Sequence, residues 1–436
     1  MTDEPYQYFM QPEPRINLGP ILTEHDPLLN KSVRFRYAKI GMVRNASEQS
    51  RKRVKVYIDP YPHVRIEKAK DLQGWYKGKN EPNQVRPRPC YTEALLTEPY
   101  GGYCPVGCIH CYINSGMRGY RGTGLVTVPI HYGAQIAKQL ATLLVGSAGY
   151  LTSFHDPFNS LETAYHNSQE AAQEFVNVGL PIFFLSRLKY PQWAINLLKQ
   201  NKYSYAQKSI NTPDSKDWKR MSPGALSLDE QLADVAKLNK QGIYVSIQLN
   251  PVIPGVTSNK QIIALLQLLA GAGADHVIVK FVEAGYSWAP TMVNRMVKTF
   301  GDRGKEFAKL FTQNIGGQKT VDETYRLHAH DLYQREAKRL GLTYSTCYEY
   351  RYEKVGGCKT GISIGPEVTS SAQCHGKRVP VHYRLSTDAK FQPFRKCPPT
   401  GCLYCADEDG NTPCNNVLLG EAPALRLSDL RKPFVQ

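Results

Sequence analysis

The 436-residue chain has no uncharged apolar run long enough to span a bilayer, so nothing in it reads as a transmembrane helix. Its first residues, MTDEPYQYFMQPEPR, lack a basic stretch followed by an apolar one. No secretory signal is expected, and a cytoplasmic location is the default. No internal repeat is visible, so the chain is read as globular domains. Acidic residues are the scarcer kind: 38 Asp and Glu against 54 Lys and Arg give a net charge of +16.

The missing secretory context makes the cysteines informative. There are eleven, and a chain in a reducing compartment does not normally pair them as disulfides. Close spacing there points to metal or catalysis. Seven of the eleven fall in two tight groups, within residues 104–111 and 397–414. Cys90 stands alone in RPRPCYTE and reads as an unligated thiol.

The positive charge is concentrated. Residues 31–88 hold 16 Lys and Arg against 5 Asp and Glu, a net of +11. Segments such as RFRYAK, SRKRVKVY and QVRPRPCY interleave basic and aromatic side chains, a composition that neutralises phosphates and stacks on bases. Nucleic acid is therefore a candidate partner for this segment; a solubilising arm or a strand pair with a basic outer face has the same composition.

Residues 1–30 read as an irregular leader, 33–66 as two strands, and 67–92 as a polar, Pro-rich linker. From about residue 93 short apolar runs alternate with amphipathic stretches. Candidate strands are 94–99, 149–154, 181–186, 204–210, 244–249 and 276–281; candidate helices are 131–145, 162–178, 191–200, 227–241 and 259–272. This alternation implies βαβ units and a parallel sheet, either a partial barrel or an open doubly wound sheet. Both place active sites at the C-terminal strand ends. Residues 322–341 read as a further helix and 342–350 as another strand. Beyond 355 the chain is rich in Gly, Cys and Pro. The expected organisation is a basic extension (1–92), an α/β unit (93–350) and a Cys-rich region (351–436).

The first cysteine group is EPYGGYCPVGCIHCYINSG, that is Cys104-x3-Cys108-x2-Cys111. Three thiolates on one Gly-containing loop can hold three irons of a cubane and leave the fourth open. A closed zinc site would take four ligands, and His110 lies between two cysteines where its reach is poor. The group follows the first strand of the α/β unit, where an active site is expected.

At these residues the sequence resembles the radical SAM superfamily. That resemblance implies a partial (β/α)6 barrel and a 4Fe-4S cluster that binds S-adenosylmethionine (SAM) at its open iron. It also implies an electron donor such as flavodoxin or ferredoxin, and hydrogen abstraction by a 5′-deoxyadenosyl radical. Within the superfamily, SFHDPFNSLE (153–162), FFLSR (183–187), SINTPD (209–214), RMSPGALSLDEQLADVAKLNKQGI (220–243) and NPVIPGVT (250–257) resemble the spore photoproduct lyase-like branch, in order, from about residue 95 to 285.

The resemblance carries roles over position by position. Arg187 stands where the family has a Lys near the SAM carboxylate, and a guanidinium also pairs with a carboxylate. Ser209 and Asn211 match a segment that contacts SAM. Tyr112 matches an aromatic residue of radical relay. His155 and Asp156, at the end of the second strand, are candidate lining for the substrate or the SAM ribose; a capping Asp beside a loop His would look the same. Departures are equally specific. The branch has a hydrogen-donating Cys where this chain has Ser153, a Tyr where it has His110, and a Glu where it has Ser222. A hydroxyl O–H is too strong to replace a thiol S–H as hydrogen donor, which argues against photoproduct reversal.

The second group, KCPPTGCLYCADEDGNTPCNN, places Cys397, Cys402, Cys405 and Cys414 within 18 residues. A second 4Fe-4S cluster and a structural zinc both suit four thiolates. Cys347, Cys358, Cys374, His375 and His382 are nearby alternative ligands. The sequence leads to a radical SAM enzyme acting on a nucleic-acid component, in repair or modification. The alternatives are the same chemistry on a peptide or metabolite, and a non-catalytic zinc-containing nucleic-acid-binding protein.

Overall fold

A computed structural model describes residues 17–45, 48–58, 64–68, 73–74, 94–111, 125–143, 145–152, 154–315, 318–347, 349–355, 358–371, 374–377, 379–380, 382–384 and 386–393. In chain order the strands used below are β1 (Leu22–Asp26), β2 (Lys31–Asn45), β3 (Glu48–Tyr57), β4 (Val64–Lys68), β5 (Gln73–Gly74), β6 (Ala94–Leu96), β7 (Gly101–Gly102), β8 (Val126–Ile130), β9 (Val145–Gly146), β10 (Ala148–Leu151), β11 (Ile182–Ser186), β12 (Tyr205–Ser209), β13 (Val245–Val252), β14 (His276–Phe281), β15 (Glu283–Gly285), β16 (Gln313–Ile315), β17 (Gln318–Thr320) and β18 (Thr343–Thr346).

The basic segment builds most of a six-stranded sheet, ordered β1-β2-β3-β4-β8-β7. Strand period 2 explains it. Val33 and Phe35 are buried while Arg34 between them is exposed, and on β3 Val54 and Val56 are buried while Arg53 is exposed. By register Arg53 and Lys55 share one face with Phe35 and Tyr57, and Arg34 and Arg36 share the other with Val54 and Val56, so basic residues flank buried apolar ones on both faces. Arg53 lies 3.6 Å over the Tyr37 ring and Lys55 4.4 Å over Phe35. Two expectations need correction. The segment expected to be an irregular leader contains β1, an edge strand whose LTEHD sequence is mostly exposed and so carries no apolar signature. Residues 33–66 take part in three strands, not two.

The α/β unit forms an eight-stranded sheet in the order β18-β14-β13-β12-β11-β10-β6-β5. All pairs from β6 to β18 are parallel; β5 alone runs antiparallel. Spatial order follows chain order along the parallel strands, so the sheet winds one way and is not doubly wound. The stretch 342–350, expected as another strand, contributes β18, a seventh parallel strand. Among the described residues no helix is long and apolar enough to cross a membrane.

The two faces of this sheet differ in chemistry. Leu151, Ile182, Phe184, Ala206, Val245, Ile247, Leu249, Val277 and Val279 point outward into the main core against the helices. Two of those helices start at capping boxes, Ser227 with Glu230 and Ser258 with Gln261, which satisfy otherwise unpaired N–H groups. The alternate residues point inward. At the lower end Tyr150, Phe183 and Tyr205 stack at 4.4 and 4.6 Å. Above them the inner face turns polar.

The C-terminal part of the chain closes the lower end. His375 packs 5.1 Å from the Phe183 ring, and its Nδ1 accepts from the Gln207 amide at 2.8 Å. Burial pushes its pKa down to about 3, so it is neutral. Gly376 has φ +84°, and a side chain there would run into His276 and Tyr244, so only glycine fits this close approach. Arg384 donates to the carbonyls of Leu140 and Leu143 at 2.7 and 2.8 Å, tying the segment down.

Candidate active site

The upper end of the inner face gathers most of the residues singled out from sequence. Cys104, Cys108 and Cys111 lie on the loop after β6 and β7; the first two are buried, and none of the three is in a disulfide among the described residues. Local hydrogen bonds shape the loop: Gly107 N–H to the Cys104 carbonyl at 3.0 Å, and Cys111 N–H to the Cys108 carbonyl at 3.1 Å. A second loop, 221–226, packs directly on it. Ile109 N–H donates to the Met221 carbonyl at 3.0 Å and Gly224 N–H to the Val106 carbonyl at 2.9 Å. A Cβ at Gly224 would lie 2.5 Å from the Pro105 carbonyl oxygen, so the contact requires glycine.

The thiols share one electrostatic environment. Burial, then the Asp156 carboxylate, then the neighbouring Cys108 and Cys111, push the Cys104 thiol pKa well up; a backbone N–H from Asp156 opposes them. Thiolates here need a positive counter-charge. Arg187 is the cation at hand. Its guanidinium donates to Ser222 Oγ at 3.3 Å and to the Asn250 carbonyl at 3.0 Å. Ser222 Oγ in turn lies 3.2 Å from Cys108 Sγ.

Ser209 Oγ reaches the same Asn250 carbonyl at 3.5 Å. Asn211 donates to the Pro251 carbonyl at 3.3 Å, while its Oδ1 is buried without a hydrogen-bond partner among the described residues. Buried acceptors are rarely left unmet, so Asn211 Oδ1 faces a place where a ligand donor belongs.

His155 and Asp156 serve a different purpose from the expected lining. Asp156 accepts from Ser186 Oγ at 2.8 Å, Arg187 N–H at 2.7 Å and Phe158 N–H at 3.0 Å. His155 Nε2 lies 2.8 Å from the Tyr103 carbonyl and Nδ1 3.2 Å from the Asp156 carbonyl. Both side chains brace the ends of β10 and β11 against the cysteine loop. Polar valence spent on the backbone is not offered to a ligand, and sequence alone does not distinguish the two uses. Tyr112, Ser153, Cys397, Cys402, Cys405 and Cys414 lie outside the described residues.

The structure adds two residues that sequence reading noted only as departures. Ser222 links a cluster-loop thiol to the guanidinium. His110 has a buried Nδ1 with no hydrogen-bond partner among the described residues, and burial followed by the Arg187 charge holds its pKa well below the usual value. Its position between two candidate ligands was the available signal.

A radical SAM Nα-GlyT isomerase of Pseudomonas phage M6 is 54% identical over 443 residues, covering 99% of this chain and 92% of that protein. The chain belongs to the radical SAM family. It is a radical SAM enzyme, and not an authentic spore photoproduct lyase. No family model matches it. Among solved structures, spore photoproduct lyase with a dinucleoside spore photoproduct is similar at TM-score 0.48 and 16% identity, over 65% of this chain and 82% of that one. Streptococcus suis SuiB is similar at TM-score 0.40 and 14% identity, over 58% and 49%.

The family implies SAM and a 4Fe-4S cluster. Among the described residues no three His, Cys, Asp or Glu side chains converge on a single-ion site. A cubane does not ask for that, because each thiolate binds a different iron. Three thiols on one loop outside any disulfide, a guanidinium linked to one of them through Ser222, and an acceptor at Asn211 without a partner among the described residues fit the pair of cofactors.

Proposed function

We propose that this enzyme isomerises a glycine-bearing thymine in DNA, moving the base's methylene group from the glycine nitrogen to the glycine α carbon. The observation that carries the reading is the 54% identity, across 99% of the chain, to a radical SAM Nα-GlyT isomerase. For this chain we read GlyT as glycine joined to thymine. In a glycyl-threonine peptide the link runs through the glycine carboxyl, and a locant on the amine would distinguish nothing. On thymine, nitrogen and α carbon are two distinct attachment points. The exposed basic residues of β2 and β3, Lys31, Arg34, Lys39 and Arg53, support a nucleic-acid substrate as well.

The reaction balances without an outside oxidant or reductant. Hydrogen leaves the glycine α carbon, the methylene bond moves from nitrogen to that carbon, and hydrogen returns to the nitrogen. One C–N bond becomes C–C, and one C–H becomes N–H. A thiol donor is not required, which accommodates Ser153 in place of the branch's Cys.

In this reading Cys104, Cys108 and Cys111 would hold three irons, and Arg187, Ser209 and Asn211 would receive SAM. Together the bound cofactors supply a carbon radical able to abstract hydrogen. Arg187 pairs with a carboxylate while Ser222 and the Asn250 carbonyl fix its plane. The stacked aromatic residues and His375 exclude water from below. We read the singly wound sheet as a partial barrel between a basic extension (1–92) and a Cys-rich region (351–436).

The test is anaerobic reconstitution followed by incubation with SAM, dithionite and an oligonucleotide carrying the Nα-linked glycine. Nucleoside mass spectrometry should find a product of unchanged mass and altered retention. An unaltered nucleoside, with a glycyl-threonine peptide rearranged instead, would transfer the assignment to peptides.

A further inference from the structure

The inner face of β14 carries a charged pair that the proposed chemistry has not yet used. Val277, Val279 and Phe281 belong to the helix-side core, so the alternate residues His276, Ile278 and Lys280 face inward. Lys280 is the uppermost of these. The register of β13 against β14, Leu249 to Val279 and Val252 to Phe281, sets it beside Asn250 and Pro251. Those are the residues whose carbonyls take Arg187, Ser209 and Asn211.

Lys280 Nζ lies 2.9 Å from Glu283, with the two side chains 6% and 20% exposed. Three neighbours of the pair stand out. The Cys347 carbonyl accepts from Lys280 at 3.5 Å. The Gln318 amide, in the orientation its neighbours demand, donates to Glu283 at 3.0 Å. Glu349 lies within electrostatic reach of Lys280 but is itself bound to Arg326 and to Phe281 N–H.

We infer that Lys280 and Glu283 hold the amino-acid end of the substrate, the ammonium taking its carboxylate and the carboxylate its secondary ammonium. The inference rests on the isomerase reading and names what recognises the glycine. Its physical basis is charge matching. Desolvation of this pair is already met in the folded protein. A ligand with both charges can enter between the two and leave neither bare. A lone anion would compete with Glu283 for Lys280 and a lone cation with Lys280 for Glu283, whereas a zwitterion offers each a counter-charge, so the pair favours a zwitterion over both. The pair stands one strand away from the Arg187 contact, on the same face, so the glycine α carbon would be presented towards the reacting centre.

The experiment measures binding, not turnover. Reconstituted, SAM-loaded enzyme without reductant is titrated with three oligonucleotides: one with Nα-linked glycine on thymine, one with the carboxyl replaced by hydrogen, and one with the amine replaced by an ether oxygen. Wild type should bind each analogue about tenfold more weakly than the first. Lys280→Met should abolish the carboxyl preference, Lys280→Arg should restore it, and Glu283→Gln should abolish the amine preference alone. A purely structural ion pair would move all three affinities together. Wild-type preference that survives Lys280→Met, or no preference in wild type, overturns the inference. Failure of the isomerase reading is separately visible, because an oligonucleotide with unmodified thymine would then compete as well as the glycine-bearing one.

Discussion

Two buried lysines stand on opposite faces of the same sheet, and each meets a carboxylate at 2.9 Å. Lys208 points outward to Asp234, with the pair 0% and 2% exposed. It also donates to the Leu188 carbonyl at 2.7 Å, and Asp234 accepts from Tyr190 N–H at 3.1 Å. Burial pulls the Lys208 ammonium below its usual pKa and Asp234 pushes back. That pair is closed on all sides and locks the segment 188–190, which follows Arg187, to the helix Leu228–Lys240. Lys280 points inward to a carboxylate that keeps an edge towards solvent. Identical chemistry thus has two uses, set by which face of the pleat a residue occupies: outward to fix the scaffold, inward to meet a ligand.

The comparison can be broken most severely on the inward side. Cys108→Ala should eliminate the broad visible iron–sulfur absorption after reconstitution, and with it 5′-deoxyadenosine formation from SAM and dithionite. Unfolding stability should shift by only about 1 kcal/mol. Persisting deoxyadenosine would refute the ligand role. On the outward side the order reverses. Asp234→Ala leaves Lys208 buried and unpaired, and urea denaturation should show a loss of about 3–5 kcal/mol. A loss under about 1 kcal/mol would mean the pair is not closed after all.

Beyond β14, on the β18 side, lies Glu349, bonded to Arg326 Nη1 at 2.6 Å. Burial alone would raise its pKa; the neighbouring His330 and the Arg326 and Lys280 charges hold it down at about 2. The folded value is below the unfolded one. Its contribution is therefore present above about pH 4.5 and disappears as pH falls towards 2, on the order of 3 kcal/mol in total. Unfolding free energy against pH should fall more steeply in wild type than in Glu349→Gln over that window; parallel curves would count against it. The smallest effect belongs to Arg187→Lys. A lysine keeps the charge but cannot span Ser222 and Asn250 together, so SAM affinity measured by calorimetry should drop about fivefold, or ~1 kcal/mol. Unchanged affinity would remove Arg187 from the SAM site.

Much of this was legible in the sequence. The parallel strands read as continuous apolar runs because both faces are covered, and the cysteine triplet stands where strand ends converge. Other features left no local trace. β1 is polar because an edge strand faces water. His155 and Asp156 looked like pocket lining because sequence does not say whether a polar group's partner is backbone or ligand. Lys280 sat unnoticed in HVIVKF, since its partner and its inward direction appear only once the pleat is fixed. His375 meets Gln207 across 168 residues of chain, and no periodicity carries such a contact.

That last contact has a consequence for how the molecule is made. The strands of this sheet have all been synthesised by residue 346, yet the residues that floor its inner face come later, at 375–384. Until those arrive, the stacked rings of Tyr150, Phe183 and Tyr205 lack the His375 that packs on them. The cover over that end of the inner face is therefore made late, and a nascent chain holds every strand of the sheet before it holds the residues that pack beneath it.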